Sequence, residues 1–130
     1  MPRDYDRSEI PSVYNLEDVT PYRDEEGFQQ VVFRGIDQLI GFSRIGPEKP
    51  EGEPHTHPYE QMNMLVEGRL EFHVDGEWLE LEPYDALTIP PEIPHTARPV
   101  EGEYATLLAF WPLREDRIDG TGYQEEFPEL

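Results

Sequence analysis

The chain has 130 residues and a mass of 15.2 kDa, the length of one domain, and 29 acidic against 10 basic residues give it a formal net charge of -19. A surface this acidic repels phosphate, which argues against a nucleic-acid partner and against an anionic membrane. Cysteine is absent, so disulfides, thiolate metal ligands and cysteine nucleophiles are excluded. The sequence has no long apolar run and no signal-peptide pattern, and we therefore expect a cytoplasmic protein.

The acidic excess has two interpretations. Fifteen aromatic residues and a middle stretch rich in Val, Ile, Leu and Phe predict a folded core despite the mean hydropathy of -0.73. The charge is then either a halophile-type surface, which stays hydrated at high salt, or an acidic face that binds a partner. The acids are spread over the whole chain and Lys49 is the single lysine, so the sequence favours the halophile-type surface.

In chain order, the sequence predicts a polar arm over residues 1–29, which docks on the body or pairs at a sheet edge, then a barrel over residues 30–111 and a polar tail over residues 112–130 packed on the barrel. Within the barrel, short β-prone runs alternate with turn residues. The predicted strands are residues 31–33, 39–42, 61–66, 70–74, 78–81, 86–89, 95–98 and 104–111. No helix is predicted before residue 112, so the fold class is all-β, a sandwich or a barrel.

The residues that point to chemistry are histidines, of which the chain has four. His55 and His57 are two positions apart, so on an extended strand both imidazoles project from the same face and can bind one ion. Gln61 has the same parity as this pair, whereas Glu60 has the opposite parity. His95 begins a later predicted strand, after a proline-rich turn. The pattern indicates a metal site.

Two segments resemble the paired motifs of the cupin superfamily. Segment 55–61, HTHPYEQ, with Gly68 after it, resembles the first motif, G-x5-H-x-H-x3/4-E-x6-G. Segment 90–95, PPEIPH, is similar to the second motif, G-x5-P-x-G-x2-H-x3-N. The motifs stand in the family's order with a hairpin between them. The resemblance implies a small double-stranded β-helix, or jelly-roll barrel, that holds a metal ion inside its mouth.

The resemblance also implies the metal ligands. Small cupins with a His-x-His-Pro-x-Glu-Gln stretch use the glutamine as third ligand, so the implied set is His55, His57, Gln61 and His95. The other interpretation of Gln61 is a polar residue that lines the barrel. Three imidazoles and one amide are neutral, so a divalent ion would keep its charge and prefer an anionic ligand in its open positions. Ni, Fe, Mn, Co and Zn all suit such a set, and affinity order alone does not choose among them.

Four motif positions depart from the family pattern. Lys49, Tyr84 and Glu92 stand at glycine positions, and Pro99 stands at the asparagine position. Because these positions shape turns and bind no metal, the implied ligand set is unaffected. His73 alternates with acidic residues on a predicted strand, and we expect it to have no role in the site.

Segment 110–116, FWPLRED, resembles the end of the core strands in the pectin-degradation cupins, which convert unsaturated uronic acids into linear keto forms. That resemblance implies that Arg114 holds a substrate carboxylate. The aspartate thought to move the proton in that group falls on Leu108, which cannot transfer a proton. Tyr59, Tyr104 and Glu60 are the candidates that remain near the motif strands, and of these Tyr59 and Glu60 are assigned to catalysis.

Three functions follow from these residues and resemblances. The leading one is an isomerase- or lyase-type enzyme that opens or isomerises a small carboxylated or sugar-acid-like substrate, an anion, by metal-assisted proton transfer. The alternatives are a non-haem metal dioxygenase and a non-catalytic module that binds a small molecule. We also expect a homodimer, because exposed sheet edges need to be covered. Four large apolar residues are expected in the barrel core or wall: Met62, Met64, Phe72 and Trp78.

Overall fold

The computed structural model describes residues 13, 15–19, 21, 23–35, 38–49 and 52–112. In the described part of the chain, one 3-10 turn, Leu16–Asp18, precedes the strands. Nine strands are present in the described residues: β1 (Arg23–Glu25), β2 (Phe28–Arg34), β3 (Gln38–Ile45), β4 (Gln61–Gly68), β5 (Leu70–Val74), β6 (Glu77–Leu81), β7 (Ala86–Ile89), β8 (His95–Pro99) and β9 (Ala105–Pro112). All eight predicted strands are confirmed, each within a few residues of the bounds expected from the sequence.

The strands form two antiparallel sheets, and the predicted jelly-roll class is confirmed. One sheet has the order β1-β2-β3-β9-β4-β7 and the other has the order β6-β5-β8. Their inner faces meet in a hydrophobic core, where each fully buried Leu, Ile or Phe side chain contributes about 1.5–3 kcal/mol relative to its exposed state. The largest fully buried apolar side chains come from both sheets: Leu39, Ile45, Leu65, Leu70, Phe72, Ile89 and Leu107.

A half-buried strand usually has apolar side chains inside and polar ones outside, and the first four residues of β4 have the opposite arrangement. Its inward side chains include Gln61 and Asn63, which are buried, whereas Met62 between them is 43% exposed and Met64 is half-buried. Neither methionine therefore lies in the barrel core, which corrects that part of the expectation for them. Since successive residues of a strand face opposite sides, placing Gln61 inside forces both methionines outside. At the start of β4, the amide side chains of Gln61 and Asn63 therefore occupy inward positions that hydrophobic side chains usually take.

Trp78 is also on the outside of the molecule, which corrects the expectation that it lines the barrel. Its ring is 37% exposed and packs under the Arg98 guanidinium, whose Cζ lies 3.5 Å from the ring centroid. Arg98 in turn pairs with Glu71 at 3.2 Å. His73 contacts the same indole edge-on, with ring centroids 5.0 Å apart. This cluster covers the outer face of the three-stranded sheet, and His73 takes part in it.

Two of the departures from the cupin motifs have left-handed backbone conformations. Tyr84 has φ +75° and Glu92 has φ +68°, a region that glycine adopts without a steric penalty. The chain therefore keeps the turn geometry of the motif glycines with residues that carry a Cβ. The Glu92 turn reaches the histidines directly, because its backbone N–H donates to the His57 carbonyl at 2.8 Å.

The N-terminal side of the described chain joins the edge of the larger sheet. Strand β1 pairs with β2 through the register Arg23 to Gln30 and Glu25 to Phe28. Gly27 makes the connecting turn at φ +81°. Among the described residues there is no helix long and apolar enough to cross a membrane.

Candidate metal centre

The backbone brings the two histidine segments together. His55 and His95 form an isolated antiparallel bridge in which each N–H donates to the other's carbonyl at 3.0 Å. Side chains of such a directly opposed pair project from the same face. Their ring centroids are 4.4 Å apart as a result.

His57 completes a group of three imidazoles. Its ring centroid is 4.7 Å from that of His95 and 6.0 Å from that of His55. One nitrogen from each ring lies within 4.8 Å of the other two, the spacing of ligands around one ion, and this is the one such group of His, Cys, Asp or Glu in the described part of the chain. His57 and His95 are buried and His55 is half-buried.

Hydrogen bonds fix the tautomers of two rings. His57 Nδ1 lies 2.9 Å from the Tyr59 carbonyl oxygen, and His95 Nδ1 lies 2.8 Å from the Ile93 carbonyl oxygen. A carbonyl only accepts, so both Nδ1 atoms carry the hydrogen and both Nε2 atoms present a lone pair. The His95 Nε2 atom is shielded from solvent and has no hydrogen-bond partner in the described residues. A buried lone pair without a donor is what a metal ligand requires.

The Gln61 amide oxygen lies close to the lone pair of His57 Nε2. It lies 3.2 Å from His57 Nε2, although the Nδ1–H tautomer of that ring leaves Nε2 without a hydrogen to donate. Two acceptors at this distance repel each other unless a proton or a metal cation lies between them. Two ligand atoms each about 2.1 Å from one ion, at right angles, are about 3 Å apart. The donor set therefore fits a divalent transition metal, with His55, His57, His95 and Gln61 able to hold it.

Burial keeps His95 in the ligand form. Removal from water, helped by the neighbouring His55 and His57 and opposed by the Ile93 carbonyl, lowers the pKa of His95 to about 4. The neutral imidazole is the form that binds metals, so His95 is available as a ligand over the whole range above this pKa.

The catalytic candidates from the sequence lie in different places. Tyr59 stacks on His57, with ring centroids 4.3 Å apart and planes inclined by 10°. Glu60 is exposed and lines an outer cavity of about 370 Å³ with Gln38, Met62 and Phe110, the side of the sheet to which its parity points. Arg114 lies outside the described residues.

Strand β9 supplies no proton-transfer group to the barrel interior. Its inward side chains are Ala105, Leu107, Ala109 and Trp111, all buried. Leu108, where the pectin-degradation cupins have their aspartate, pairs with Phe42 and Met64 in outward-facing register.

Sequence reasoning missed two residues that contact the Gln61 amide. Trp111 Nε1–H donates to Gln61 Oε1 at 2.9 Å, and Gln61 Nε2 donates to Asn63 Oδ1 at 2.9 Å. Parity gave a signal for Asn63, since it lies two positions after Gln61 and must face the same side. No local pattern marked Trp111, which reaches Gln61 only through the pairing of β9 with β4.

Comparisons with known proteins agree with this fold. The cupin domain family matches residues 41–111. The polyketide synthase CurC of Streptomyces cyaneus is 31% identical over 104 residues, which cover 75% of this chain and 67% of that protein. KdgF from Halomonas sp. is 25% identical, with a TM-score of 0.67 over 82% of this chain and 98% of KdgF.

A further solved structure agrees in fold alone. The polyketide cyclase RemF from Streptomyces resistomycificus is 17% identical, with a TM-score of 0.67 over 88% of this chain and 99% of RemF. The family match spans the β3–β9 core and includes all three histidines of the group. The chain belongs to the cupin family.

Proposed function

We propose that the chain is a metal-dependent enzyme that shifts a proton on a small carboxylated or sugar-acid-like substrate, so that a ring opens or a carbonyl isomerises. One observation carries the proposal: the His57 Nε2 and Gln61 Oε1 lone pairs face each other at 3.2 Å beside two further imidazoles. Such a set holds a cation and adds no negative charge to it.

The charge of the ligands selects the substrate class. Ni, Fe, Mn, Co or Zn in this site would keep its full charge, because histidine and glutamine are neutral. A divalent ion here would polarise a substrate oxygen and stabilise negative charge that develops on it. A carboxylate or hydroxy-carbonyl group is therefore the preferred ligand from solution, and the proposal assigns Arg114 to the substrate carboxylate.

The proton shift needs an acid–base group, which is a side chain of this chain or a metal-bound water. Within the described residues, Tyr59 lies against the metal group, because its ring stacks on His57. We assign proton transfer to the Tyr59 hydroxyl. Glu60 is exposed and lines the outer cavity with Met62 and Phe110, so it is the weaker of the two candidates.

The test combines metal analysis with a spectroscopic assay. We expect about one equivalent of a divalent metal per chain. An unsaturated uronate should lose its ultraviolet absorbance with the wild type and keep it with His55→Ala or Tyr59→Phe. His73→Ala is the matched control, because this histidine lies on the outer face of the other sheet against Trp78.

Binding of the uronate without any absorbance change would contradict the isomerase and support a binding module. Oxygen consumption by an iron- or copper-loaded protein would support a dioxygenase.

Polyketide cyclisation is the second candidate function. The 31% identity to the polyketide synthase CurC is higher than the 25% identity to KdgF. A polyketone chain also acquires negative charge on oxygen when a carbon between two carbonyls loses its proton, so the same metal group would serve it. Turnover of a poly-β-ketone probe by the wild type, without turnover of the uronate, would favour this candidate.

We further propose that two copies of the chain associate through the outer face of the six-stranded sheet. The strand register aligns apolar residues in two adjacent rows across β3, β9 and β4, here called the outer rows: Ile40, Phe110 and Met62 in one, Phe42, Leu108 and Met64 in the other. No charged side chain interrupts the outer rows, although 30% of the whole chain is charged. A patch without charge in so acidic a surface marks an interface.

A second copy fits this patch best. A two-fold axis sets the same rows against each other, so the apolar surface meets an apolar surface and the acids of both copies stay at the rim. The outer rows lie on three strands of eight residues that span about 14 Å by 26 Å, so residues of the flanking strands β2 and β7 would contribute the rest of the roughly 800 Å² per partner of a standard interface. Light scattering should give a dimer for the wild type and a monomer for Leu108→Glu. Tyr84→Glu, which adds the same charge at a residue 80% exposed on a turn, should stay dimeric. A monomeric wild type would overturn the proposal.

A further inference from the structure

The orientation of the Gln61 amide decides whether Gln61 can act as a ligand at all. The two ends of an amide have nearly the same shape, but only the oxygen carries a lone pair available to a metal. A glutamine whose nitrogen faced His57 would present two hydrogens in place of a ligand. Something in the barrel must therefore select the oxygen-in orientation over the flipped one.

We propose that Trp111 and Asn63 form a clamp that fixes Gln61 Oε1 toward the histidines. This inference rests on the metal site of the proposed function, and it assigns both residues a positioning role. The indole Nε1–H donates to Gln61 Oε1 at 2.9 Å, and Asn63 Oδ1 accepts from Gln61 Nε2 at 2.9 Å. All three side chains are buried, so water does not substitute for either partner.

Trp111 is the discriminating member of the clamp. Indole Nε1–H is a donor only, so a flipped Gln61 would set its own N–H groups against it and leave the buried Trp111 N–H without an acceptor, even though a Gln61 N–H could then donate to His57 Nε2. Asn63 does not discriminate in the same way, because its amide can rotate and offer a donor. The Asn63 Nδ2 atom is buried without a hydrogen-bond partner, and is available for that rotation. The oxygen-in orientation therefore depends on Trp111.

The absence of a side chain at Gly41 leaves room for the Trp111 indole. A Cβ atom on Gly41 would lie 2.8 Å from Cη2 and 2.9 Å from Cζ3 of Trp111, closer than side chains approach one another. Gly41 belongs to β3, Trp111 to β9 and Gln61 to β4, three neighbouring strands of one sheet. The orientation of a metal ligand is thus set by the pairing of three strands.

The experiment is a double-mutant cycle of metal affinity. Trp111→Phe removes the N–H donor and keeps an aromatic ring, and Gln61→Glu replaces the amide by a carboxylate that presents oxygen in either orientation. We expect Trp111→Phe to weaken Co²⁺ binding by about 10–100-fold in the wild-type background, the usual effect of losing a residue that orients a ligand. The same substitution should weaken binding by less than about threefold in the Gln61→Glu background, because no wrong orientation exists there.

A packing role for Trp111 would give equal losses in both backgrounds, and that result would overturn the clamp. Trp78→Phe, at the second tryptophan of the sequence, is the matched control and should leave affinity unchanged. The visible spectrum of bound Co²⁺ gives a second measurement, which should change with Trp111→Phe and not with Trp78→Phe. A wild type that binds no metal would overturn the metal site and the clamp together, whereas wild-type affinity in Trp111→Phe would overturn the clamp alone.

If Trp111→Phe fails to fold, hydrogen exchange of the indole N–H groups still tests the clamp. The wild type has two indole N–H groups, and that of buried Trp111 should exchange with solvent far more slowly than that of Trp78. Gln61→Leu removes the acceptor and should accelerate exchange at Trp111 without affecting Trp78. Unchanged exchange at Trp111 would show that the bond to Gln61 is absent, and would overturn the clamp.

Discussion

His55 and His95 exchange both of their backbone hydrogen bonds, each at 3.0 Å, although they come from separate segments of the chain. The bridge places both imidazoles on one face with centroids 4.4 Å apart. Because main-chain bonds hold them, the two rings meet whether or not an ion is bound. Part of the entropy loss of bringing the ligands together therefore occurs during folding, before a metal binds.

Metal binding should stabilise the fold through this preformed group. At a free metal concentration 100 times the dissociation constant, the wild type should gain about 2.7 kcal/mol in its free energy of unfolding, with a melting temperature several degrees higher. Thermal unfolding followed by circular dichroism, with and without a chelator, measures the shift. His55→Ala should lose the response and His73→Ala should retain it. A wild type whose melting temperature ignores both metal and chelator would contradict the site.

The metal-free protein should lose stability in mild acid because of His95. Burial lowers the pKa of His95 to about 4 in the folded chain, whereas the unfolded chain titrates near 6.5. Between these values the unfolded state binds more protons, so this contribution is fully present above pH 6.5 and is lost as the pH falls to 4. The loss attributable to His95 should be at most about 3 kcal/mol.

The measurement is urea unfolding at pH 7 and pH 4.5. Many acidic residues titrate in the same range, so the wild type is compared with His95→Asn at both values. The difference in stability between the two proteins should shrink or reverse toward pH 4.5. A difference that stays constant would show that His95 takes up its proton in the folded state as readily as in the unfolded chain.

Restoring glycine at the two left-handed motif positions should stabilise the protein. Tyr84 at φ +75° and Glu92 at φ +68° adopt a conformation that strains residues with a Cβ. Tyr84→Gly and Glu92→Gly should each raise the free energy of unfolding by about 0.5–1 kcal/mol. Tyr84→Ala and Glu92→Ala separate the backbone effect from loss of the side chain. A glycine variant no more stable than its alanine counterpart would contradict the strain.

Activity on an anionic substrate should rise with salt toward the molar range. The chain carries a net charge of -19, and the cationic centre would lie in a surface whose field opposes the approach of an anion. Salt screens that opposition and leaves short-range binding at the metal largely intact. The ratio kcat/KM is measured in sodium chloride beside an uncharged substrate analogue, which should show little dependence. Rates that fall steadily from low salt would argue for an acidic face with another purpose.

The barrel and its histidines were predictable because their signals are local. The alternation of residues 70–74 marks a strand wherever that strand pairs, and the spacing of His55 and His57 places both rings on one face of any extended segment. Composition likewise excluded disulfides and thiolate sites without reference to a fold. The resemblance to the cupin motifs then added His95 and Gln61 to the predicted ligand set.

Only strand pairing set the environment of these ligands. Gln61 faces inward with its oxygen toward His57 because Trp111 crosses from β9 over Gly41, a contact between residues far apart in the chain. The same pairing aligns the outer rows, so that Met62 and Met64 lie outside while amides lie inside. Residue types and short spacings determine which ligands the chain offers, since both are properties of neighbours along the backbone. Their orientation and burial depend on long-range contacts that exist only after the two sheets close, whereas the carbonyls that fix the tautomers of His57 and His95 lie two residues away along the chain.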